Sequence, residues 1–338
     1  MGDIHQFLNN GAAHGKQTGY ISAGSMASGM PIGLPYIAIR GKHPGKTLWL
    51  HGQVHGDEIN GIVAALNFLE TLDPEAMHGN VVFTPTGNPH ALDLRKKRNP
   101  YDDLDLDQCY PGNANGLISE RLAHALFKEV EGTADFLINL HTMNPLFDSK
   151  AYAVYKVHPQ STVTEDDLLQ AIALFEPNVA CRMRVEGTGE LPGNIAGGLD
   201  YQCLAKNIPA FMLELGGGSR YEPVNVELAQ RGFARLAVHL GIVDAGQSRQ
   251  KPSSVRRVTK RGWVTFAHGG IFVPEVEAGA TLQAGAVLGR TRNLLGEPLE
   301  TFSIAQDGIV IGLRRDPVSH TGERVAFMAW EWDEYKLS

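Results

Sequence analysis

The chain has 338 residues, more than one domain usually contains, and 43% of them are hydrophobic while 20% are charged. These proportions are those of an ordinary globular protein, and they exclude a disordered chain or a fibrous repeat. The formal net charge of -7 argues against a nucleic-acid partner, because proteins that bind nucleic acids need clustered cations.

The N-terminal segment has no apolar stretch after a basic start, so it does not resemble a secretory signal. No apolar run in the sequence approaches the roughly 18 residues that a membrane helix needs. The three cysteines, Cys109, Cys181 and Cys203, are too few and too scattered for a disulfide framework and fit a reducing compartment. We therefore expect a cytoplasmic protein without a membrane partner.

Between about residues 36 and 242, short apolar runs alternate with amphipathic stretches, as they do in βα units. The predicted strands are 36–40, 47–51, 80–85, 134–140, 151–157 and 210–215. The predicted helices, which have apolar residues near helical spacing, are 58–72, 118–130, 165–175 and 224–240. The pattern predicts an α/β domain over residues 1–245, with a mixed, mainly parallel sheet flanked by helices.

Residues 246–254 are polar, contain a proline and lack periodicity, so they are predicted to form a linker. Beyond them, short β-prone runs are punctuated by glycine, which predicts a smaller all-β sandwich or barrel over residues 255–338. The spaced glycines resemble a lipoyl or biotinyl carrier. A carrier presents a lysine at a hairpin tip, however, and residues 293–298 (NLLGEP) contain none. The tail is therefore predicted to be a structural cap.

The segment HGQVHGDE, residues 51–58, lies where a predicted strand ends. His55 and Glu58 are three residues apart, so a helical turn is expected to place both side chains near one tetrahedral ion. A catalytic zinc site needs a third ligand, and His141, at the end of another predicted strand, is the candidate. His51 is a rival ligand or a support for one. An H-x-x-E pair alone also occurs by chance in many helices.

A single carboxylate, Glu214, interrupts the apolar strand PAFMLELGGG. Burying an unpaired charge is unfavourable, so Glu214 is expected to face a partner or a cleft. A hydrolytic metal site needs a base that takes a proton from water, and Glu214 is the candidate. The alternative is a structural ion pair with Arg220, the nearest partner in sequence.

Four motifs occur in order: GQVHGDE at 52–58, Arg98 followed by DLDQCYPG at 105–112, LHT at 140–142 and LELG at 213–216. Together they resemble the succinylglutamate desuccinylase and aspartoacylase family of the zinc carboxypeptidase clan. The resemblance covers about residues 36–220, and the family's C-terminal β domain is similar to the tail described above. The resemblance implies a zinc-carboxypeptidase-like fold.

The resemblance also implies roles for particular residues. The implied ligands of one zinc ion per chain are His55, Glu58 and His141, with Glu214 as the proton shuttle. Arg98 is implied to polarise the scissile carbonyl and to steady the oxyanion; its alternative is a solvated member of the basic run RKKR. The implied reaction is attack of metal-bound water on the amide carbonyl of a small N-acylated amine or amino acid, and not on a peptide bond.

The sequence departs from the family at the end of its D-L-N-R motif, where members bind a substrate carboxylate. Here those positions are Asp107 and Gln108, so an amide replaces the guanidinium beside a new negative charge. Succinylglutamate and acetylaspartate are therefore disfavoured as substrates. Asp107 is expected to meet a cationic group of the substrate, unless the substrate is neutral there. Arg182, Arg184 and Arg220 remain candidates for a carboxylate anchor.

Two other functions are consistent with these motifs. One is a carboxypeptidase or amidase that acts on peptides, which the missing Asn-Arg pair and the expected β cap disfavour. The other is an inactive zinc-binding protein, which the presence of Glu214 beside three ligands disfavours. Assembly into a homo-oligomer is compatible with the sequence.

Overall fold

The computed structural model describes residues 3–9, 14–185, 193–244 and 252–338. Within these residues a large sheet, parallel at its centre, carries helices on both faces and continues into a C-terminal antiparallel region. The predicted α/β fold class is confirmed. Most of the predicted linker, residues 246–254, lies outside the described residues, and the domain boundaries 1–245 and 255–338 stay a prediction.

The helices and strands are as follows. The helices are α1 Asp3–Asn9, α2 Asn60–Leu69, α3 Pro89–Leu94, α4 Ile118–Thr133, α5 Glu165–Ala173, α6 Leu199–Ala205 and α7 Pro223–His239. The first nine strands are β1 Gly15–Ser25, β2 Pro31–Arg40, β3 His43–Gln53, β4 His78–Thr86, β5 Phe136–Met143, β6 Phe147–Ser149, β7 Tyr152–Tyr155, β8 Ala180–Arg182 and β9 Ala210–Gly217. The C-terminal strands are β10 Ser254–Thr265, β11 Gly270–Pro274, β12 Thr281–Leu282, β13 Val287–Arg292, β14 Pro298–Ser303, β15 Gly308–Arg314, β16 Val318–Ser319 and β17 Arg324–Lys336.

Each predicted strand overlaps an observed one, namely β2, β3, β4, β5, β7 and β9, and each predicted helix overlaps α2, α4, α5 or α7. Two of the helix starts have a clear local cause. At α5, for example, the Thr164 side chain accepts the Asp167 N–H at 3.1 Å while the Asp167 carboxylate accepts the Thr164 N–H at 2.8 Å. At α7, Pro223 occupies the first turn, where its missing N–H has no cost.

The large sheet has the strand order β1-β2-β4-β3-β5-β9-β7-β8-β10-β17-β15-β12. Its central strands β4, β3, β5 and β9 are mutually parallel, whereas β1 and β2 pair antiparallel to their neighbours. Strand β7 is antiparallel to β9 and parallel to β8. Because the carboxyl ends of parallel strands meet at one edge, the residues that follow β3, β5 and β9 are brought together.

Alternating residues of the central strands contribute to two hydrophobic cores. In β5, Phe136, Ile138 and Leu140 pack in the core that includes α2, α5 and α7, while Leu137 packs in the core that includes α1, α4 and α6. Successive side chains of a strand point to opposite faces, so the cores lie on the two faces of the sheet. Burial on both faces explains the continuous apolar runs that predicted these strands.

The C-terminal region consists of strands and turns, as predicted, and it joins the large sheet directly. Strand β10 pairs in parallel with β8, where Val258 lies opposite Cys181, and β15 pairs with β6. A second sheet has the order β14-β13-β11-β16, and Phe266, Phe272 and Phe302 pack together in the core of this region. Among the described residues, no helix has the length and apolar character needed to cross a membrane.

Candidate active site

His55 and Glu58 lie in the turn between β3 and α2. Helix α2 begins at Asn60, so the predicted start of this helix at residue 58 is wrong. His55 and Glu58 are instead joined by a turn. In this turn the Glu58 N–H donates to the His55 carbonyl oxygen at 3.2 Å. His141 lies in β5, the parallel neighbour of β3, and the sheet therefore brings all three residues to one edge.

The three side chains converge. Nδ1 of His55 lies 2.8 Å from Oε1 of Glu58, and Nδ1 of His141 lies 2.9 Å from Oε2 of the same carboxylate. One ligand atom from each residue lies within 4.8 Å of the other two, and all three residues are buried. Two imidazole nitrogens and a carboxylate oxygen are ligands that zinc takes in catalytic sites, so the donor set fits the predicted metal.

The electrostatics of the group favour a cation. Burial alone would raise the pKa of Glu58, but the neighbouring His55 and His141 outweigh burial and hold this pKa at about 2. Burial would likewise lower the pKa of His55, yet Glu58 and Asp105 raise it well above its usual value. A carboxylate that stays ionised between two imidazoles offers the negative charge that a bound divalent ion needs.

Asp105 orients the first histidine. Its Oδ1 lies 3.0 Å from Nε2 of His55, the ring nitrogen that faces away from Glu58. A carboxylate on the outer nitrogen fixes the ring orientation and makes the inner nitrogen a better ligand. Asp105 is the first residue of the motif at 105–112, but the motif alone did not indicate that it contacts His55.

His51, the rival ligand, does not belong to the converging group. Its Nδ1 lies 2.8 Å from Oγ1 of Thr84. Burial, together with the charge of His141, lowers the pKa of His51 to about 3, so its imidazole is neutral at physiological pH. His51 is thus a buried, neutral neighbour of the site.

Glu214 lies in β9, where it is the parallel register partner of His141, and it is opposite Tyr152 of β7. Its Oε2 is buried and has no hydrogen-bond partner among the described residues. Burial raises the pKa of Glu214 to about 7. The alternative partner, Arg220, is bound elsewhere, at 2.5 Å from Asp148 and 2.8 Å from Glu222. Glu214 therefore borders the metal group as an unpaired carboxylate.

The structure does not bring Arg98 into the cavity that contains these residues. The Arg98 guanidinium donates instead to the carbonyl oxygen of Asp103 at 2.8 Å. The preceding residue, Lys97, does line the cavity, and its Nζ lies 3.2 Å from Oδ2 of Asp105. Arg184, predicted to bind substrate, is exposed and also lies outside the cavity lining.

Asp107 and Gln108 both line the cavity. Oδ1 of Asp107 accepts the Asn139 amide at 3.2 Å and lies 3.9 Å from Nε2 of His141. The side-chain oxygen of Gln108 accepts the Asn194 N–H at 3.0 Å. Gln108 therefore holds a neighbouring loop, whereas Asp107 places a carboxylate beside the metal group.

The cavity has a volume of about 530 Å³, which is within the usual range for small-molecule sites. One part of its wall carries the metal group, Glu214 and Asp107. Another part is apolar and is formed by Met143, Met212 and neighbouring side chains, and the C-terminal β region supplies the remainder. The enclosure suits a small substrate that has both polar and apolar parts.

Comparison with known proteins adds to this geometry. Residues 44–240 match the family model described as the succinylglutamate desuccinylase/aspartoacylase catalytic domain. The N-alpha-acetyl-L-2,4-diaminobutyric acid deacetylase of Halomonas elongata is 25% identical over 330 residues, which cover 96% of this chain and 93% of that protein.

Two solved structures are similar along nearly the whole chain. The product-bound ectoine utilization protein EutE (DoeB) of Ruegeria pomeroyi has a TM-score of 0.82 at 22% identity. A succinylglutamate desuccinylase/aspartoacylase of Rhodobacter sphaeroides has a TM-score of 0.79 at 23% identity. Each likeness covers 96% of this chain and 97% of the other chain, and it shows a shared fold.

Proposed function

This chain belongs to the succinylglutamate desuccinylase/aspartoacylase family, and on that premise we propose that it is a zinc-dependent deacylase that hydrolyses the amide bond of a small N-acylated amino acid. The observation that carries the proposal is that one cavity contains both a buried group of three zinc-type ligands and the carboxylate of Glu214, which has no partner among the described residues. A relative that covers nearly the whole chain is a deacetylase.

We assign one zinc ion per chain to His55, Glu58 and His141. An ion held by them would supply Lewis acidity, which polarises a carbonyl oxygen and makes water more acidic. Three protein ligands leave room for water and substrate. Asp105, through its contact with Nε2, would hold the His55 ring in the orientation that such an ion needs.

Glu214 is the proposed proton carrier. Because burial raises its pKa to about 7, its carboxylate is a strong enough base to take a proton from the attacking water, and its carboxylic acid can return that proton to the departing amine. Because Oε2 has no hydrogen-bond partner within the described part of the chain, this atom is available for both transfers.

We propose that Lys97, and not Arg98, is the cation that steadies negative charge on the carbonyl oxygen. Burial would lower the pKa of Lys97, but Asp105 raises it above its usual value, so the ammonium group stays protonated at neutral pH. Its position on the cavity wall and its contact with Asp105 support this role.

The Lys97→Met variant is expected to reduce kcat by about tenfold to a hundredfold, because it removes a positive charge that acts on the developing oxyanion. The matched control is Arg98→Met, one residue away, which is expected to stay within about twofold of wild type. Both are measured by amine release under saturating substrate. The reverse ranking of the two variants would contradict the assignment.

We further propose that Asp107 recognises a cationic group on the amine part of the substrate. Its carboxylate is held by Asn139 and lacks the neighbouring arginine that other family members have. The deacetylase relative acts on a diaminobutyric acid derivative, whose side chain carries an amino group, and this supports a cationic substrate for the present chain.

The Asp107→Asn variant is expected to raise KM about tenfold for Nα-acetyl-L-2,4-diaminobutyrate, since a charge-assisted contact is lost. N-acetyl-L-norvaline has the same shape without the charge, and its KM is expected to change little. Zinc content is measured in parallel because Asp107 lies near His141. An equal change for both substrates would contradict a contact with the amine.

The proposed function is tested with a panel of N-acetyl and N-succinyl amino acids and amines, cationic ones included, together with unblocked peptides. We expect the zinc-loaded protein to release free amine from N-acyl amino acids and to leave peptides intact. Cleavage of peptides alone would identify a peptidase. Failure to hydrolyse any acyl donor would identify an inactive zinc-binding protein.

A further inference from the structure

The C-terminal β region contributes a stacked array of two arginines and two aromatic rings to the cavity wall. Arg324 lies over the Trp263 ring, with Cζ 4.3 Å from its centroid. The Trp263 and Phe327 rings are stacked at 4.5 Å with an interplanar angle of 23°. Arg261 lies over Phe327 at 5.3 Å. All four residues line the cavity that contains the metal ligands.

Strand pairing fixes the array. Trp263 of β10 lies directly opposite Phe327 of β17, and Arg261 precedes Trp263 by two residues, so both point to the same face of the sheet. The edge of the Trp263 ring system also meets Phe147 at 5.5 Å. The guanidinium groups are thus positioned by rings that are themselves packed. Because their side chains are already ordered, they lose less conformational entropy when a ligand binds.

Two hydrogen-bond donors of the array have no acceptor. Among the described residues, the Arg324 side chain makes no ion pair or hydrogen bond, and it packs against the ring of Trp263. The indole N–H of Trp263 is buried and lacks an acceptor. Arg314, another arginine of the cavity, differs because it is paired with Glu323 at 3.0 Å. A buried N–H is normally satisfied, so the unpaired indole of Trp263 points to a ligand, and the exposed guanidinium of Arg324 stands beside it on the cavity wall.

The rest of the cavity indicates the charge of that ligand. Asp57, Glu58, Asp105, Asp107 and Glu214 line the same cavity, so negative charge is concentrated among the residues around the metal group. Lys97 and Lys156 line this part of the cavity too, but each is paired with a carboxylate. A free carboxylate of a substrate is therefore better placed at the array, where the guanidinium fork of Arg324 matches its two oxygens.

We propose that Arg324 and the indole N–H of Trp263 bind a carboxylate group of the substrate, away from the scissile amide. This inference rests on the proposed deacylation of an N-acyl amino acid. It replaces the anchor that the family places at the position of Gln108, and it makes the C-terminal region a determinant of specificity as well as a cap. Arg261 adds positive charge on the far side of the ring pair.

The test compares Nα-acetyl-L-2,4-diaminobutyrate with its carboxamide, which lacks the carboxylate charge. Wild type is expected to prefer the acid by about tenfold in KM, and Arg324→Met is expected to abolish that preference by weakening the acid alone. Arg324→Lys, which keeps the charge, is expected to restore part of it. The control is Arg256→Met, which removes an arginine of β10 paired with Glu334 outside the cavity.

A second pair of substrates distinguishes the two sources of a carboxylate. N-succinyl and N-butanoyl derivatives of the same carboxamide have acyl chains of equal length, and only the first carries a charge. If Arg324→Met changes the ratio of acid to carboxamide, the carboxylate belongs to the amino acid. If it changes the ratio of succinyl to butanoyl, the carboxylate belongs to the acyl group. A variant that changes neither ratio would overturn the inference.

Calorimetry separates failure of this inference from failure of the proposed function. If wild type hydrolyses N-acyl amino acids while Arg324→Met keeps the preference for the acid, the carboxylate site is wrong and the deacylase stands. If no substrate is hydrolysed, the deacylase is wrong, and binding of the same acid and carboxamide to the zinc-loaded chain decides the site. The carboxylate site is supported if the acid binds more tightly than the carboxamide and this difference is lost in Arg324→Met. The site is overturned if the two bind equally or if neither binds detectably.

Discussion

The Glu214→Gln variant is expected to lose about a hundredfold to ten-thousandfold in kcat while its zinc content stays at the wild-type level. Glutamine keeps the size of the side chain but cannot accept a proton from water, and a positioned general base contributes roughly 10² to 10⁴ in rate. The loss is measured as amine release from the best substrate of the panel, with zinc determined by mass spectrometry on the same sample.

The control for this variant is Glu227→Gln, an exposed glutamate of α7 that lies outside the cavity, which is expected to retain full activity. Substantial turnover by Glu214→Gln would mean that another group serves as the base. Loss of zinc together with activity would mean that Glu214 acts by holding the metal site and not by moving a proton.

The same carboxylate sets the expected pH dependence of wild type. Because burial raises the pKa of Glu214 to about 7, a fall in pH below that value protonates the base, and kcat/KM is expected to decrease. A bound zinc ion lowers the pKa of a nearby carboxylate, so the midpoint is expected at or below pH 7. A rate that stayed constant down to pH 4.5, with zinc retained, would contradict the assignment.

The second large effect is expected from His141→Ala, which should reduce zinc from one ion per chain to near zero and abolish deacylation. Removal of a residue that only orients a ligand weakens metal binding about 10- to 100-fold, and loss of a ligand itself is expected to exceed this. The matched control is His51→Asn, because His51 is equally buried but bonds Thr84. It is expected to keep its zinc.

Zinc content is measured after dialysis against a weak chelator, with circular dichroism to verify that each variant is folded. Retention of zinc by folded His141→Ala would show that His141 is not a ligand. Loss of zinc from folded His51→Asn would show that His51 takes part in binding the metal, contrary to the assigned ligands.

The central sheet and the three converging side chains were predictable because they depend on local patterns. The strands β3, β5 and β9 are buried on both faces and appear as continuous apolar runs. His55 and His141 stand where such runs end, and parallel strands bring their ends together. Only the local conformation differed, since a turn and not a helix joins His55 to Glu58.

The conformation of the loop that carries Lys97 and Arg98 could not be predicted from the sequence. Residues 95–109 have no periodicity, and the backbone of Arg95 and Asp103 adopts positive φ angles of 49° and 55°, which are uncommon for residues other than glycine and cannot be assigned to particular positions from the sequence. These turns decide that Lys97 enters the cavity and Arg98 does not. The same fold of the loop brings Asp105 to His55, fifty residues away.

The stacked array of Arg324, Trp263, Phe327 and Arg261 could not be predicted from the sequence for a different reason. Trp263 and Phe327 are 64 residues apart, and their contact depends on the register between β10 and β17, which shifts at several irregularities. The sequence showed that this region is rich in strands, but strand register between distant segments is set by packing. The N-terminal strand β1 was missed because its sequence, GKQTGYISAGS, consists mostly of glycine and polar residues and has few apolar ones.

Reconstitution of metal-free protein with zinc is the most direct test of a zinc-dependent deacylase. We expect the metal-free chain to release no amine from N-acyl amino acids, and the rate to rise linearly with added zinc until it levels off at one equivalent per chain. Undiminished hydrolysis without metal, or a zinc-saturated protein that releases no amine from any of these substrates, would contradict the proposal.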